Sequence, residues 1–169
     1  DDLLAIRDLR ISVETPEGVA HILDRVDLRV PRGTIVGVAG ESGCGKSTLI
    51  RTILRILPQR SRVESGSVLF DGEDLLALDE REMQKRIRGR AIGFIPQDPY
   101  LSLNPVFTVG AQLLEVLRSY GAPGEAAGVS RGVGGRAQHR ARIVELLRAV
   151  QLPDPEIALQ RYPHEFSGG

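Results

Sequence analysis

Eight consecutive residues, Gly40-Glu41-Ser42-Gly43-Cys44-Gly45-Lys46-Ser47, constrain this chain more than any other stretch of it, and Thr48 follows them. They satisfy G-x-x-x-x-G-K-[ST]. Glycines at this spacing let the backbone curl until successive N–H groups face one point, and a helix that starts where the loop ends adds the positive end of its dipole. Phosphate oxygens are what such a point attracts. Lys46 is placed to reach β- and γ-phosphates, and Ser47 to offer its hydroxyl to Mg2+. The alternative is a glycine turn that merely joins a strand to a helix. The flanks favour phosphate. Ile35 to Ala39 is continuously apolar, as expected of a central strand covered on both faces, and Leu49, Ile50, Ile53, Leu54 and Leu57 share one helical face that Pro58 closes.

Around this strand, loop and helix the chain reads as a mixed α/β domain. Leu4 to Ile6 and Leu9 to Val13 are short β-prone runs. Val26, Leu28 and Val30 alternate with Asp27 and Arg29, so an antiparallel opening is expected. Ser67 to Phe70 predicts a strand entering an Asp71-Gly72 turn, and Asp79 with Glu82 makes a capping-box-like start for a helix through about Arg88. Ala91 to Ile95 is a second buried-strand candidate, ended by Pro96. Helical periodicity returns in Ala111 to Tyr120 and again at Ile143, Leu146, Leu147 and Val150. Between those helices Gly121 to Gly135 holds six glycines and predicts a mobile surface connection.

With 169 residues the chain is long enough for about one ordinary domain. Its 22 basic and 22 acidic residues cancel, which disfavours nucleic acid or an anionic membrane as the main partner. No apolar stretch reaches the roughly 18 residues of a membrane span. A single cysteine permits no internal disulfide and points to a reducing compartment. His139 and His164 stand too far from other ligand types to form a metal site. The basic run Arg81, Lys85, Arg86, Arg88 and Arg90 reads as a solvated face, with anionic lipid as the lesser alternative.

The phosphate loop alone does not separate ATPases from GTPases or nucleoside kinases. No N-K-x-D guanine-reading motif occurs. An acidic Mg2+ partner at the end of a second apolar strand is also required, and Val68-Leu69-Phe70-Asp71 imitates one. The Gly72 that follows makes a hairpin turn the simpler account.

Three separated features together resemble the ATP-binding subunit of an ABC transporter: Gly40 to Thr48, Gln97 directly after the Ala91 to Ile95 segment, and Ser167-Gly168-Gly169. The resemblance covers nearly the whole chain. It implies a P-loop NTPase (RecA-like) core with an antiparallel β-subdomain over residues 1–97 and an incomplete helical signature subdomain over residues 98–169. It also implies ATP and Mg2+ as cofactors, Gln97 as a Mg2+ and water ligand that links them to the transmembrane permease subunits, and Ser167, Gly168 and Gly169 as contacts to the ATP held by a second ATP-binding subunit. Lys46 and Gln97 are the residues carried over as catalytic. The closing glycine pair reads as a fragment that ends inside the signature motif. The acidic Mg2+ ligand, general-base carboxylate and switch histidine of the family are missing, so the fragment is expected to be inactive and the full-length subunit an ATPase.

Finer wording is similar to the oligopeptide, dipeptide and nickel importer branch: Gly40-Glu41-Ser42-Gly43, Gln97-Asp98-Pro99, Ser102-Leu103-Asn104-Pro105, Thr108-Val109-Gly110 and Tyr162-Pro163-His164-Glu165. The resemblance then implies uptake of peptides or a related small solute at the cytoplasmic face of the inner membrane, with a solute-binding protein as an indirect partner and no nucleic acid. Exposed Tyr100, Leu101 and Leu103 would face the permease, with packing into the local core as the alternative. A non-transport ABC ATPase acting on nucleic acid or ribosomes is the alternative, and neutral charge and the Asp98 to Val109 loop speak against it. No Phe, Tyr or Trp precedes Phe70, so His21 is the nearest platform for an adenine ring.

Overall fold

Two fourteen-residue strands, β1 (Asp2–Thr15) and β2 (Gly18–Pro31), pair as an antiparallel hairpin, and β3 (Ser61–Phe70) joins the other edge of β1. A short β4 (Glu73–Asp74) completes a sheet of order β2-β1-β3-β4. The computed structural model describes residues 1–98, 102–120 and 133–166. Asp1–Ile92 and Gly93–Gly169 are two compact units, each with its own apolar core.

The two apolar runs expected near the N-terminus are one strand interrupted by a bulge. Ile6 and Leu9 are three residues apart and would face opposite sides of a regular strand, yet both are buried, together with Ile11. The registers explain this: they slip between Ile6 and Leu9 against β2 and between Arg7 and Arg10 against β3, with Asp8 at φ 45°. Gly66 lies opposite. A Cβ there would stand 2.6 Å from the Leu9 Cα, at a φ of +99°, so only glycine fits. Asp71 and Gly72 have φ of 51° and 83° and form the two-residue turn between β3 and β4, as their sequence predicts.

Helix α1 (Lys46–Ile53) lays Leu49 into a core built from Ile6, Leu9, Ile11, Leu23 and Val68, and the fully buried Thr52 donates its hydroxyl to the Thr48 carbonyl. The helix ends in a paired C-terminal turn in which Arg55 N–H donates to the Thr52 carbonyl and Ile56 N–H to the Arg51 carbonyl, both at 3.0 Å. The left-handed residue of that turn is Arg55, at φ 54°, where glycine is the usual choice. A non-glycine residue there costs about 1–2 kcal/mol. Hydrogen bonds from its guanidinium to the carbonyls of Leu75 and Leu78 offset that cost, since bonds from charged donors contribute about 1.5–3 kcal/mol.

Asp79 caps α2 (Glu80–Glu82), its carboxylate accepting from Glu82 N–H at 2.7 Å. The helix widens into a π turn over Met83–Ile87 and closes where Arg88 N–H meets the Met83 carbonyl. Met83 and Ile87 are thereby turned into the core.

Two expected strands are not formed. Residues 34–40 run without secondary structure and Ile35, Val36 and Val38 are exposed; Ala91 to Ile95 makes only an isolated bridge from Ile92 to Arg88, with Phe94 and Ile95 exposed. An apolar run signals what a strand would bury, but a strand exists only through ladder partners. Among the described residues no strand pairs with either run.

In the second unit α3 (Val109–Tyr120), α4 (Val133–Ala149) and α5 (Pro155–Ala158) enclose Leu117, Ile143, Val144 and Leu159, and a 3-10 turn follows at Pro163–Glu165. Helix α3 begins two residues before its periodicity predicts. Val109 and Gly110 N–H groups donate to the carbonyls of Arg161 and Leu159. Helix α4 already includes Gly134 and Gly135, so the expected glycine-rich connection ends earlier; its residues 121–132 lie outside the described ones. Val150, expected on the buried face of α4, falls beyond the helix and is exposed.

Candidate functional site

Gly45 marks where loop becomes helix. It precedes Lys46 at φ 96°, and a Cβ on it would stand 2.7 Å from Leu23 Cδ2 and 3.1 Å from the Ile22 carbonyl. The loop therefore rests directly on β2. Gly43, at φ +86°, has open space around it, whereas a Cβ on Gly40 would meet Cys44 Sγ at 2.8 Å. The chain folds back on itself here, with Cys44 N–H donating to the Glu41 carbonyl at 3.3 Å.

Lys46 lies across this curl. Its Nζ donates to the carbonyls of Gly40 at 2.7 Å and Glu41 at 2.6 Å and touches Cys44 Sγ at 3.4 Å. The first N–H of α1 taken up by the chain is that of Leu49, on the Gly45 carbonyl at 2.9 Å. Those of Lys46, Ser47 and Thr48 come before it and have no acceptor within the helix. Ser47 is exposed beside them. The Lys46 ammonium, the exposed Ser47 and the first-turn N–H groups of α1 thus belong to one short stretch of chain entered through Gly45, whose φ of 96° and closeness to the Ile22 carbonyl favour glycine. This donor set fits a polyphosphate with its divalent cation, and Lys46, Ser47 and the N–H groups of the loop would hold it.

The other anticipated residues are differently placed. Gln97 is exposed and belongs to the second unit. Ser167, Gly168 and Gly169 lie outside the described residues, as do Pro99, Tyr100 and Leu101. Leu103, expected to be exposed, is half-buried; among the described residues of its loop Val106 and Phe107 are exposed. Gln112 fixes that loop, accepting from Asn104 N–H at 2.8 Å and donating to the carbonyls of Asn104 and Phe107. His21 stands on β2, exposed, with Nδ1 3.4 Å from Glu64. No group of three His, Cys, Asp or Glu among the described residues is arranged to hold a metal ion, and no described helix is long and apolar enough to cross a membrane.

One reading of the sequence needs correction. Arg88 is not part of the solvated basic face expected of this run: its side chain is only 22% exposed, whereas Arg86 stays exposed and pairs there with Glu73 and Glu82. Arg88 inserts into the end of α1, donating from Nε to the Leu54 carbonyl at 2.7 Å and from a terminal nitrogen to the Arg55 carbonyl at 3.1 Å, and it grips Glu80 with both terminal nitrogens. Glu80, four residues before Gln84 and eight before Arg88, was the available signal.

A G-x-x-x-x-G-K-S loop that leads into α1 beside an antiparallel sheet is the arrangement the sequence leads one to expect of a nucleotide-binding cassette. Residues 23–169 match the ABC transporter family, and the chain belongs to it. A probable peptide ABC transporter ATP-binding protein of Sinorhizobium fredii is 43% identical across 100% of this chain and 47% of its own length. The oligopeptide transport ATP-binding protein OppD of Bacillus subtilis is 39% identical across 99% of this chain and 44% of its own. The chain spans about half the length of the curated relatives it matches. Among solved structures, an ATP-binding cassette captured as a dimer after hydrolysis, bound to ADP and Pi, superposes with a TM-score of 0.75 over 98% of this chain and 63% of that one, at 24% identity. The ATP-binding subunit of an ABC transporter gives a TM-score of 0.63 at 27% identity, over 98% of this chain and 56% of that one. The fold class expected from the sequence, that of ABC ATPase cassettes, is the one these neighbours share.

Proposed function

We propose that this chain is the nucleotide-binding part of an importer's ATPase subunit, which couples ATP binding and hydrolysis to uptake of peptides or a related small solute. The observation that carries the reading is the Lys46 ammonium, held over a glycine loop beside the first-turn N–H groups of α1. The kinship with peptide-transport ATP-binding proteins supports the substrate class. ATP with Mg2+ supplies a phosphoanhydride bond whose γ-phosphate carries developing charge during transfer. Gly40, Glu41, Ser42, Gly43, Cys44, Gly45 and Thr48 provide backbone around the phosphates. Lys46 neutralises charge on the β- and γ-oxygens, and Ser47 binds the cation through its hydroxyl.

To Gln97 we assign organisation of Mg2+ and water, and to Ser167, Gly168 and Gly169 contact with nucleotide held by a second ATP-binding subunit. The 169 residues carry binding groups without the paired acidic residues that the family resemblance calls for, so the chain alone turns ATP over negligibly. Transmembrane permease subunits, and through them a solute-binding protein, are the remaining partners. Val106 and Phe107, presented by the Gln112-fixed loop, are the apolar residues we assign to the permease contact at the cytoplasmic face of the membrane.

Reconstituted uptake tests the assignment. In the whole subunit with its permease, Gln97→Ala should leave MgATP affinity nearly intact and reduce transport of a labelled peptide. Normal uptake by that variant would remove Gln97 from the mechanism.

A further inference from the structure

The far end of α1 is held in a way that binding phosphate does not require. Helices commonly finish with carbonyls facing water or a glycine turn. Here the Leu54 and Arg55 carbonyls both accept from the Arg88 guanidinium, and the Arg55 guanidinium reaches in the opposite direction to the carbonyls of Leu75 and Leu78. The two arginines cross-link the end of α1 to the segment 75–88. Glu80 occupies the outer edge of the Arg88 guanidinium, so the side chain is committed to four hydrogen bonds at once. A lysine ammonium, a point donor on a flexible stem, cannot reproduce that planar set.

The Arg88 backbone is equally fixed. Its N–H closes the π turn on Met83, and it bridges to Ile92, whose carbonyl accepts from Gly89 N–H at 2.9 Å. Between the two ends lies a single helix of eight residues, about 12 Å long at 1.5 Å per residue. Lys46 and Ser47 stand at one end and the Arg88 grip at the other. A helix this short moves as one body, so a displacement at the loop reaches the carbonyls that Arg88 holds.

We propose that Arg88 is a positioning residue that ties the segment 83–92 to the phosphate-loaded position of α1, so that nucleotide at Gly40–Thr48 alters the order of residues 83–92. The inference rests on the nucleotide-binding reading above. It adds a mechanical link from the phosphate loop to the stretch of chain that leads toward Gln97.

Amide hydrogen exchange read by mass spectrometry on the full 169-residue chain, with and without saturating MgATP, tests it. In the wild type, exchange should slow in peptides covering 40–50 and also in those covering 83–92, by about fivefold or more for amides protected through local opening. Arg88→Gln should keep the slowing at 40–50, with MgATP affinity little changed, and lose it at 83–92. Should Arg88→Gln fail to fold, Arg88→Lys retains the charge and is expected to lose most of the slowing at 83–92. Protection at 40–50 without any at 83–92 in the wild type, or undiminished coupling in the Arg88 variants, overturns the proposal. Absence of protection at 40–50 in the wild type contradicts the nucleotide reading itself and takes the proposal with it.

Discussion

The Nζ of Lys46 and the Sγ of Cys44 stand 3.4 Å apart on the inner side of the glycine loop. The thiol is exposed and also fills the space that a side chain on Gly40 would need. A maleimide joined to Cys44 would therefore occupy the volume that phosphates require. Alkylation should block nucleotide binding, and bound MgATP should slow alkylation by at least about tenfold, the protection expected when ligand is held at many times its Kd. Mass spectrometry of labelled protein measures both rates; equal rates with and without MgATP would put Cys44 outside the phosphate site.

The bulge in β1 gives a stability test independent of any ligand. Gly66 and Gly72 share a positive φ, but a Cβ on Gly66 meets the backbone of Arg7, Asp8 and Leu9 at 2.6–2.7 Å, whereas one on Gly72 meets nothing within 4 Å. Gly72→Ala should cost the conformational strain alone, about 1–2 kcal/mol. Gly66→Ala adds a backbone collision and should cost at least about 2 kcal/mol more, since overpacking against atoms that cannot repack is expensive. Urea unfolding of the two variants decides it, and equal midpoints would mean that the strand relaxes around the extra methyl.

Acid should loosen the Arg88 grip. The hydrogen bonds from Arg88 hold the Glu80 carboxyl below its ordinary value of 4.5, aided by Gln84 and the nearby Arg55 charge and opposed by partial desolvation. A depressed carboxylate contributes stability that is fully present above its unfolded pKa and is lost as pH falls through the folded one. The difference in urea midpoint between wild type and Glu80→Gln should be constant above about pH 5 and shrink steadily below it. A difference that stays constant down to pH 3 would show that Glu80 does not stabilise the fold through its charge.

The parts of this molecule legible in the sequence are those determined by neighbours along the chain. The Asp71-Gly72 turn, the Asp79 cap and the loop from Gly40 to Ser47 each depend on a few adjacent residues whose φ preferences or hydrogen-bonding groups decide the outcome. Ile35 to Ala39 and Ala91 to Ile95 carry strand-like apolar runs but no information about who pairs with them. The second kind of failure is the arginine at the end of α1. The basic run from Arg81 to Arg90 puts Arg88 on a solvated face, and nothing local announces that the Leu54 and Arg55 carbonyls, more than thirty residues away, are its partners. Likewise the left-handed Arg55 looked like an ordinary helix residue, because glycine is the expected signal at that position.

Whether Lys46 and its loop hold the phosphates of ATP is read by an equilibrium titration with a fluorescent ATP analogue in the presence of Mg2+. Charged hydrogen bonds of the kind Lys46 would make contribute about 1.5–3 kcal/mol, so Lys46→Ala should weaken binding by roughly 10- to 100-fold while leaving the urea midpoint nearly unchanged. Saturable binding by the wild type, lost to that extent in the variant, is the result expected. Equal affinity of the two proteins at the same Mg2+ concentration would contradict the assignment of Gly40 to Thr48 as the nucleotide site.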